Sequence, residues 1–216
     1  MWEKHHYGLW CARWGSARKC HAPPTQRPTP QPRKALKKTS EKAAVFLSKN
    51  DRAVFFFDEG RFGTMPTVGR CWGLKGLRVH SLVKPGYKNF YIYSSVSPHT
   101  GDSFSLILPW VDTEMMNLYL EQFSSAFSDT DIMLIMDQAG WHGSKDLVVP
   151  GNITIELLPA YSPELNPVER LWQWLRRHVC RNRFFDSLDE LTDKLFDAFQ
   201  VLSPTRLASL CRCSYL

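Results

Sequence analysis

The chain lacks the long apolar runs that place a protein in or across a membrane. Among its 216 residues, no stretch approaches the ~20 consecutive apolar residues of a membrane helix. The first thirty residues contain no apolar run of the ~7–15 residues found in secretory signals. The sequence therefore predicts a protein with no membrane partner that stays in the cytoplasm, where it is made.

Closely spaced cysteine pairs are also missing. The six cysteines are scattered, and none forms the C-x-x-C spacing from which structural zinc sites are built. A domain of this size buries roughly 70% of its unfolded surface, which is enough to fold without disulfides. We therefore expect reduced thiols, and neither a disulfide framework nor a zinc knot.

Acidic residues are scarce in the first quarter of the chain. The net charge is +6, but residues 1–52 carry +9 and the remainder carries −3. Five prolines between residues 23 and 32 disfavour regular helix, so we predict an irregular basic segment over residues 1–50. Candidates to contact a nucleic-acid backbone there are Arg33, Lys34, Lys37 and Lys38. A solvated linker is the competing interpretation of the same composition.

From residue 51 onward the apolar pattern is that of a globular α/β domain. Short apolar or alternating runs predict strands at residues 54–57, 90–96, 104–108, 132–136 and 153–158, the second and third forming a hairpin. Helical spacing begins after three good capping residues, Asp112, Asn166 and Ser187. This order predicts a mixed sheet flanked by helices over residues 51–202, followed by a C-terminal tail over residues 203–216.

Three carboxylates stand at comparable places in this pattern. Asp58 and Asp137 each follow a buried strand run, and Glu169 lies in the first turn of the helix that follows the next strand. Ligands of open α/β sheets bind beyond the carboxyl ends of the strands, so the three side chains are expected to meet there. Hard oxygen ligands suit Mg²⁺, and two such ions can stabilise the attacking and leaving oxygens of a phosphodiester.

Each of these residues also has a structural interpretation. An Asp after a strand is often a turn or cap residue, and Glu169 suits a capped helix start, where an acid is favourable near the positive end of the dipole. His142 fits a helix start as well as a phosphate contact. Trp172 fits the apolar stripe of its helix better than a base-stacking surface.

Three longer stretches carry a resemblance to a known family. They are residues 57–63 (FDEGRFG), 134–142 (LIMDQAGWH) and 158–172 (LPAYSPELNPVERLW). They resemble the three acidic motifs of bacterial insertion-sequence transposases of the mariner superfamily, and the Tyr-Ser-Pro-x-Leu-Asn-Pro-x-Glu pattern in the last is the most specific. The 31 residues between Asp137 and Glu169 are slightly fewer than in mariner relatives, which a trimmed loop near Gly151 would explain.

The resemblance implies an RNase H-like fold with a five-stranded sheet and a catalytic triad of Asp58, Asp137 and Glu169. These residues would hold two Mg²⁺ ions, for which Mn²⁺ is a possible substitute. The implied activity is phosphodiester hydrolysis and strand transfer on duplex DNA, at element ends and at the target, by a homodimer of a bacterial protein. Family members carry helix-turn-helix modules before this domain, and residues 1–52 have neither the length nor the apolar period for them.

DNA contacts are expected from the tail and from the helix of the third acid. Besides the tail cations and His142, the candidates on or near that helix are Arg170, Arg176 and Arg177. Without a recognition helix, the chain is predicted to bind DNA weakly, with strong salt dependence and little sequence preference.

Two other functions remain open on the sequence. One is a truncated transposase remnant that is catalytically silent and acts only as a weak DNA-binding or interaction module. The other is an RNase H-type nuclease acting on RNA–DNA hybrids, which does not account for the motif from Tyr161 to Glu169.

Overall fold

Five strands form a single mixed sheet in a computed structural model of the chain, which describes residues 30–48, 51–70, 72, 74, 75, 86–138, 146–159 and 162–213. Side chains of the first helix are described from residue 37 onward. The strands are β1 (Arg52–Gly63), β2 (Asn89–Val96), β3 (Ser103–Leu108), β4 (Asp131–Met136) and β5 (Ile153–Leu157). Their order across the sheet is β3-β2-β1-β4-β5.

The strand directions divide the sheet at β1. β1 pairs antiparallel with β2, and β2 pairs antiparallel with β3, as the predicted hairpin requires. On the other side β1, β4 and β5 run parallel, so their carboxyl ends lie at the same edge. The predicted α/β class with a mixed five-stranded sheet is confirmed.

The helices cover both faces of this sheet. They are α1 (Pro30–Leu47), α2 (Thr113–Ala126), α3 (Val168–Leu175), α4 (Leu188–Gln200) and α5 (Pro204–Leu210), with a 3-10 turn at Pro163–Leu165 and a π-helical turn at Arg176–Cys180. The predicted caps form at α2, where Asp112 accepts from the Met115 N–H at 2.8 Å, and at α4, where Ser187 accepts from the Glu190 N–H at 3.1 Å. At α3 the cap position is Pro167 rather than Asn166, although the Asn166 side chain accepts from the Val168 N–H at 3.2 Å.

Strand alternation divides the core into two apolar clusters. Phe55 and Phe57 of β1 point toward α2, while Val54 and Phe56 point toward the opposite face. That second face is covered by α1, α3, α4 and α5, and its cluster includes Ala43 of α1. The apolar run of β1 is therefore continuous because both faces of the strand are buried.

Three predictions of local structure are wrong. The basic segment is not irregular over residues 30–47, which form α1, because the prolines of that stretch lie at or before the first helical turn, where the missing N–H costs nothing. Part of the C-terminal tail folds as α5, capped by Ser203 and anchored by the buried Leu207. β1 does not end at Phe57 but continues to Gly63, because β2 supplies its hydrogen bonds after the pairing with β4 has ended.

Cys180 and Cys211 are buried and form no disulfide, and Cys11, Cys20 and Cys71 lie outside the described residues. Within the described ranges, no helix combines the length and the apolar character that crossing a bilayer requires.

Candidate active site

Asp58 lies where β1 parts from β4. The last parallel pair between these strands is Phe56 with Ile135, whereas the antiparallel ladder continues and pairs Asp58 with Ser94 of β2. The carboxylate is half-buried on the sheet face that α3 covers. An interruption in the ladder therefore leaves this side chain with space beside it, at the edge where the parallel strands end.

The indole of Trp172 fixes the Asp58 carboxylate from the side of α3. Its Nε1–H donates to Asp58 Oδ2 at 2.8 Å, and the ring is 1% exposed. Trp172 also meets the ring of Phe62 edge-on, with centroids 5.9 Å apart. A Cβ atom at residue 60 would lie 2.9 Å from the indole, so the close approach of α3 to β1 requires glycine at this position.

Asn166 makes a second connection between this helix and β1. Its Nδ2 donates to the carbonyl oxygen of Phe57 at 2.7 Å, and its Oδ1 accepts from the Val168 N–H. The side chain is 4% exposed, so both hydrogen bonds are made away from water. The start of α3 is thus bound to the residue directly before Asp58.

Glu169 occupies the first turn of α3, half-buried, and its charge acts on Asp58. Burial is the main cause that raises the pKa of Asp58 to about 7, and the charges of Glu59 and Glu169 raise it further. The hydrogen bond from Trp172 acts in the opposite direction because it stabilises the charged form. The arrangement places negative charges close together with little water to screen them.

Asp137 is the residue directly after β4 and is exposed. The register that pairs Phe56 with Ile135 would place it level with Asp58 if the ladder continued by two residues. Among the described residues, no group of three or more His, Cys, Asp and Glu side chains is close enough to hold a metal ion. The structure thus brings Asp58 and Glu169 together, and the convergence of all three acids stays a prediction.

The predicted DNA-contact residues fall in three places. Lys37 and Lys38 are exposed on α1, where Arg33 and Lys34 belong to the helix but their side chains lie outside the description. Arg170 and Arg177 are exposed near α3, and Arg170 donates to the carbonyl oxygen of Arg212. The guanidinium of Arg176 lies 5.4 Å from the centre of the Phe62 ring. His142 lies outside the described residues.

The apolar stripe that predicted α3 assigned Trp172 to the core, and it missed the bond to Asp58. The role of Asn166 beyond helix capping was missed as well. The sequence did contain one signal for the bond from Trp172 to Asp58. The N–H of a buried tryptophan usually finds an acceptor, and Trp172 follows Glu169 by three residues on the same side of the helix.

A sequence model of the DDE superfamily endonucleases matches residues 53–192, which contain all three acids and the whole sheet except Arg52, the first residue of β1. The chain belongs to this family.

Three curated relatives resemble this DDE endonuclease chain. It is 40% identical over 123 residues to the uncharacterized protein y4pE/y4sA of Sinorhizobium fredii, covering 56% of this chain and 91% of the relative. It is 26% identical over 160 residues to the insertion element IS630 uncharacterized 39 kDa protein of Shigella sonnei, covering 71% of this chain and 46% of the relative. It is 30% identical over 102 residues to the transposable element Tc3 transposase of Caenorhabditis elegans, covering 45% of this chain and 31% of the relative. The chain therefore spans less than half the length of the last two.

Solved structures of Mos1 transposase share its fold. The pre-cleavage Mos1 transpososome superimposes with a TM-score of 0.66 at 16% identity, over 92% of this chain and 64% of the other. The Mos1 mariner paired end complex with Mn superimposes with a TM-score of 0.63 at 17% identity, over 86% of this chain and 60% of the other. The predicted RNase H-like fold of the transposase catalytic domain is confirmed by this similarity.

Proposed function

We propose that this chain is the catalytic domain of a DNA transposase that cuts and joins strands of duplex DNA. Support comes from Asp58 of β1 and Glu169 of α3, because the charge of Glu169 acts on the Asp58 carboxylate. Both residues lie inside the region matched by the endonuclease family. Asp137, at the end of the adjacent parallel strand, is the third member that we assign to the site.

The donor set fits a divalent metal ion. Asp58 is half-buried beside two further carboxylates, and its raised pKa shows that its charged form is destabilised there. A bound cation would remove that destabilisation. Carboxylate oxygens are the ligands that Mg²⁺ and Mn²⁺ prefer. We assign Asp58, Asp137 and Glu169 as the residues that would hold two Mg²⁺ ions, with Mn²⁺ as a substitute. When bound, the ions supply stabilisation of the attacking and leaving oxygens of the phosphodiester.

The protein's own contribution is to hold the carboxylates in place. Trp172 orients the Asp58 carboxylate by donating to Oδ2, and the backbone N–H of Glu59 bonds the same carboxylate. Asn166 fixes the start of α3, and therefore the position of Glu169, against the backbone of β1. Asp137 follows a strand whose register with β1 is set by five residue pairs. These contacts orient the acids without requiring a bound ligand.

The substrates and assembly belong to the same proposal. We infer that the domain acts on element ends and target DNA, that a homodimer bridges two ends, and that the predicted cations contact phosphates. The neighbours named as paired end and strand transfer complexes support this inference.

β4 offers a matched pair of variants for testing the proposal, because it begins with Asp131 and is followed by Asp137. Both residues are exposed. Asp137→Ala is expected to reduce Mg²⁺-dependent nicking of a supercoiled plasmid to the metal-free background, with nearly unchanged stability. Asp131→Ala removes only the ion pair with Arg52 at 3.4 Å, and is expected to nick at the wild-type rate.

Three outcomes would contradict the proposal. Equal nicking by Asp137→Ala and the wild type would remove Asp137 from the site. No nicking by the wild type with either Mg²⁺ or Mn²⁺ would favour the silent remnant. Faster cleavage of an RNA–DNA hybrid than of the DNA duplex would assign the activity to an RNase H-type nuclease instead.

A further inference from the structure

The side chain of Gln138 connects the ends of β4 and β5, directly after Asp137. Its Nε2 donates to the carbonyl oxygen of Leu158 at 2.9 Å. On the other side of Asp137, the carbonyl oxygen of Met136 accepts from the N–H of Leu158 at 2.7 Å. Asp137 therefore lies between two residues that are both hydrogen-bonded to Leu158.

The side-chain bond of Gln138 takes the place of a bond that the backbone makes in a longer ladder. The pairing of β4 with β5 ends at Met136 and Leu157. In a parallel ladder, a residue that donates its N–H to one residue of the neighbouring strand accepts from the residue two positions further along that strand. The next donor to the Leu158 carbonyl would thus be the backbone N–H of Gln138, and the side-chain amide donates instead. The chain can therefore leave the sheet directly after Asp137 while the Leu158 carbonyl stays satisfied.

Strand alternation links this arrangement to the direction of the Asp137 side chain. Ile135 belongs to the apolar cluster on the side of the sheet that α3 covers, and Met136 to the cluster on the side that α2 covers. A residue 137 in strand geometry therefore faces the α3 side, which is also the side that Asp58 faces. The hydrogen bonds before and after residue 137 favour that geometry at a point where the strand itself has ended.

Asn166 makes a comparable contact beside the first acid. Its Nδ2 donates to the carbonyl oxygen of Phe57, the residue before Asp58. There too a side-chain amide bonds a backbone carbonyl at the edge where the parallel strands end. The first two acids thus share one kind of support, an amide side chain that joins the neighbouring backbone to another element.

We propose that Gln138 is a positioning residue for Asp137: its amide holds the chain at the end of β4 so that the Asp137 carboxylate faces Asp58. This inference rests on the proposed function, which assigns Asp58, Asp137 and Glu169 to the metal ions. The role of Gln138 is indirect, because its own amide bonds the protein backbone and not the ions or the DNA.

Amide hydrogen exchange tests the position without any metal. Gln138→Met keeps the length of the side chain and removes its donor. In EDTA this variant is expected to speed exchange of the Leu158 amide about fivefold, because the strand ends separate more often when one hydrogen bond is lost. The Ile132 amide, which donates to the carbonyl oxygen of Asn152 at the opposite end of the same strand pair, should exchange at the wild-type rate. NMR of the full chain measures both amides.

Asn152→Leu is the matched control, because Asn152 is another amide side chain that bonds backbone carbonyls beside this strand pair. Its Nδ2 donates to two carbonyl oxygens, at 3.1 and 3.3 Å, at the end opposite the acids. This variant should speed exchange of the Ile132 amide more than that of the Leu158 amide. If both variants affect the two amides alike, Gln138 stabilises the strand pair as a whole and the inference is overturned.

Binding of Mn²⁺ tests the consequence for the acids. Electron paramagnetic resonance measures the Mn²⁺ that remains free at equilibrium with the full chain. Gln138→Met is expected to weaken Mn²⁺ binding about tenfold, the lower end of the ~10–100-fold losses caused by removing groups that orient metal ligands. The Mn²⁺ concentration for half-maximal plasmid nicking should rise by a similar factor, and the rate at saturating Mn²⁺ should fall by less. Asn152→Leu should change none of these quantities, although it removes more hydrogen bonds.

Failure of this inference and failure of the proposed function give different results. If Asp137→Ala weakens Mn²⁺ binding and nicking but Gln138→Met behaves like Asn152→Leu, the positioning role is wrong and the function stands. If the wild type neither binds Mn²⁺ nor nicks DNA, the proposed function fails. Selectively faster exchange of the Leu158 amide in Gln138→Met would still show, in that case, that Gln138 holds the chain at Asp137.

Discussion

The two faces of the sheet use aromatic residues for different purposes. On the α2 face the rings pack on one another, as in the edge-on contact of Phe55 with Phe123 at 5.1 Å between centroids. The hydroxyl of Tyr119 lies 2.8 Å from Ser95 Oγ, so the polar atom is satisfied by a neutral partner. On the α3 face the indole of Trp172 donates instead to the carboxylate of Asp58. Both faces stabilise the fold through an apolar cluster, and the second face in addition retains buried charge and carries the candidate site.

The pKa values express the same difference. Burial raises the pKa of Tyr119 far above its ordinary value, so its hydroxyl stays neutral at every pH at which the protein folds. Burial also raises the pKa of Asp58, but to about 7, within the working range. The stability of the α2 face should therefore be independent of pH near neutrality, and that of the α3 face should not.

The largest expected effect is a loss of stability from the α2 face. Phe123 is fully buried among Phe55, Phe104, Tyr119 and Phe127, so Phe123→Ala should lower the free energy of unfolding by about 3–5 kcal/mol in urea titrations. The fraction that remains folded should nick DNA normally, because neither Phe123 nor the four rings around it are among the residues assigned to the proposed site.

A matched control for this variant exists on α4. Phe196 is 62% exposed, so Phe196→Ala should change the free energy of unfolding by less than about 0.5 kcal/mol. Similar losses for Phe123→Ala and Phe196→Ala would show that packing in the α2 cluster stabilises the fold no more than an exposed side chain does.

An intermediate effect, with the opposite sign, is expected at Asp58. Its folded pKa is above its unfolded value of about 3.9, so the charged form lowers stability progressively as the pH rises from ~4 to ~7 and by a constant amount above. Asp58→Asn removes that charge and still accepts the indole N–H. In EDTA at pH 8 the variant should gain on the order of 2 kcal/mol in the free energy of unfolding, with no gain at pH 4.

Asp131→Asn serves as the control for that measurement, because Asp131 is exposed at the opposite end of the adjacent strand. It should show no such gain at pH 8. A loss of stability by Asp58→Asn at pH 8, or the same change at both pH values, would refute the account of buried repulsion.

The smallest expected effect concerns the Tyr119 hydroxyl. Tyr119→Phe leaves the ring in place and removes the bond to Ser95, at a cost of about 1 kcal/mol. Because the hydroxyl does not titrate, the loss should be equal at pH 6 and pH 8. Tyr87→Phe, at an exposed ring, should cost nothing measurable in the same denaturation. A loss that varies with pH would show that Tyr119 is coupled to the charged site. The two faces would then not differ in the pH dependence of their stability.

Local patterns predicted most of the fold but missed α1 and α5, and they gave no sign of the long-range bonds around Asp58. Apolar runs located every strand, and Asp112 and Ser187 located two helix starts, because those signals lie within a few residues. The bond from Trp172 to Asp58 joins residues 114 apart, and the bond from Asn166 to Phe57 joins residues 109 apart. For neither bond does the sequence near the donor indicate which residue is the acceptor.

The acids show the same limit. Motif spacing indicated Asp58, Asp137 and Glu169, and each of the first two lies two residues beyond the last parallel pair of β1 with β4. Sequence did not reveal that β1 continues past Asp58, because the apolar run ends there and the continuation depends on β2.

The contacts of Asn166 and Trp172 have a consequence for how the chain can vary in length. Both bind the start of α3 to β1, on either side of the Phe57–Asp58 peptide, so the first and third acids are fixed without reference to the segment between β4 and β5. That segment includes the exposed turn at Gly151, where an added Cβ would meet nothing within 4 Å. Residues inserted or deleted there change the count between Asp137 and Glu169 but not the distance between Asp58 and Glu169. The start of α3 therefore keeps its position on β1 whatever the length of that turn.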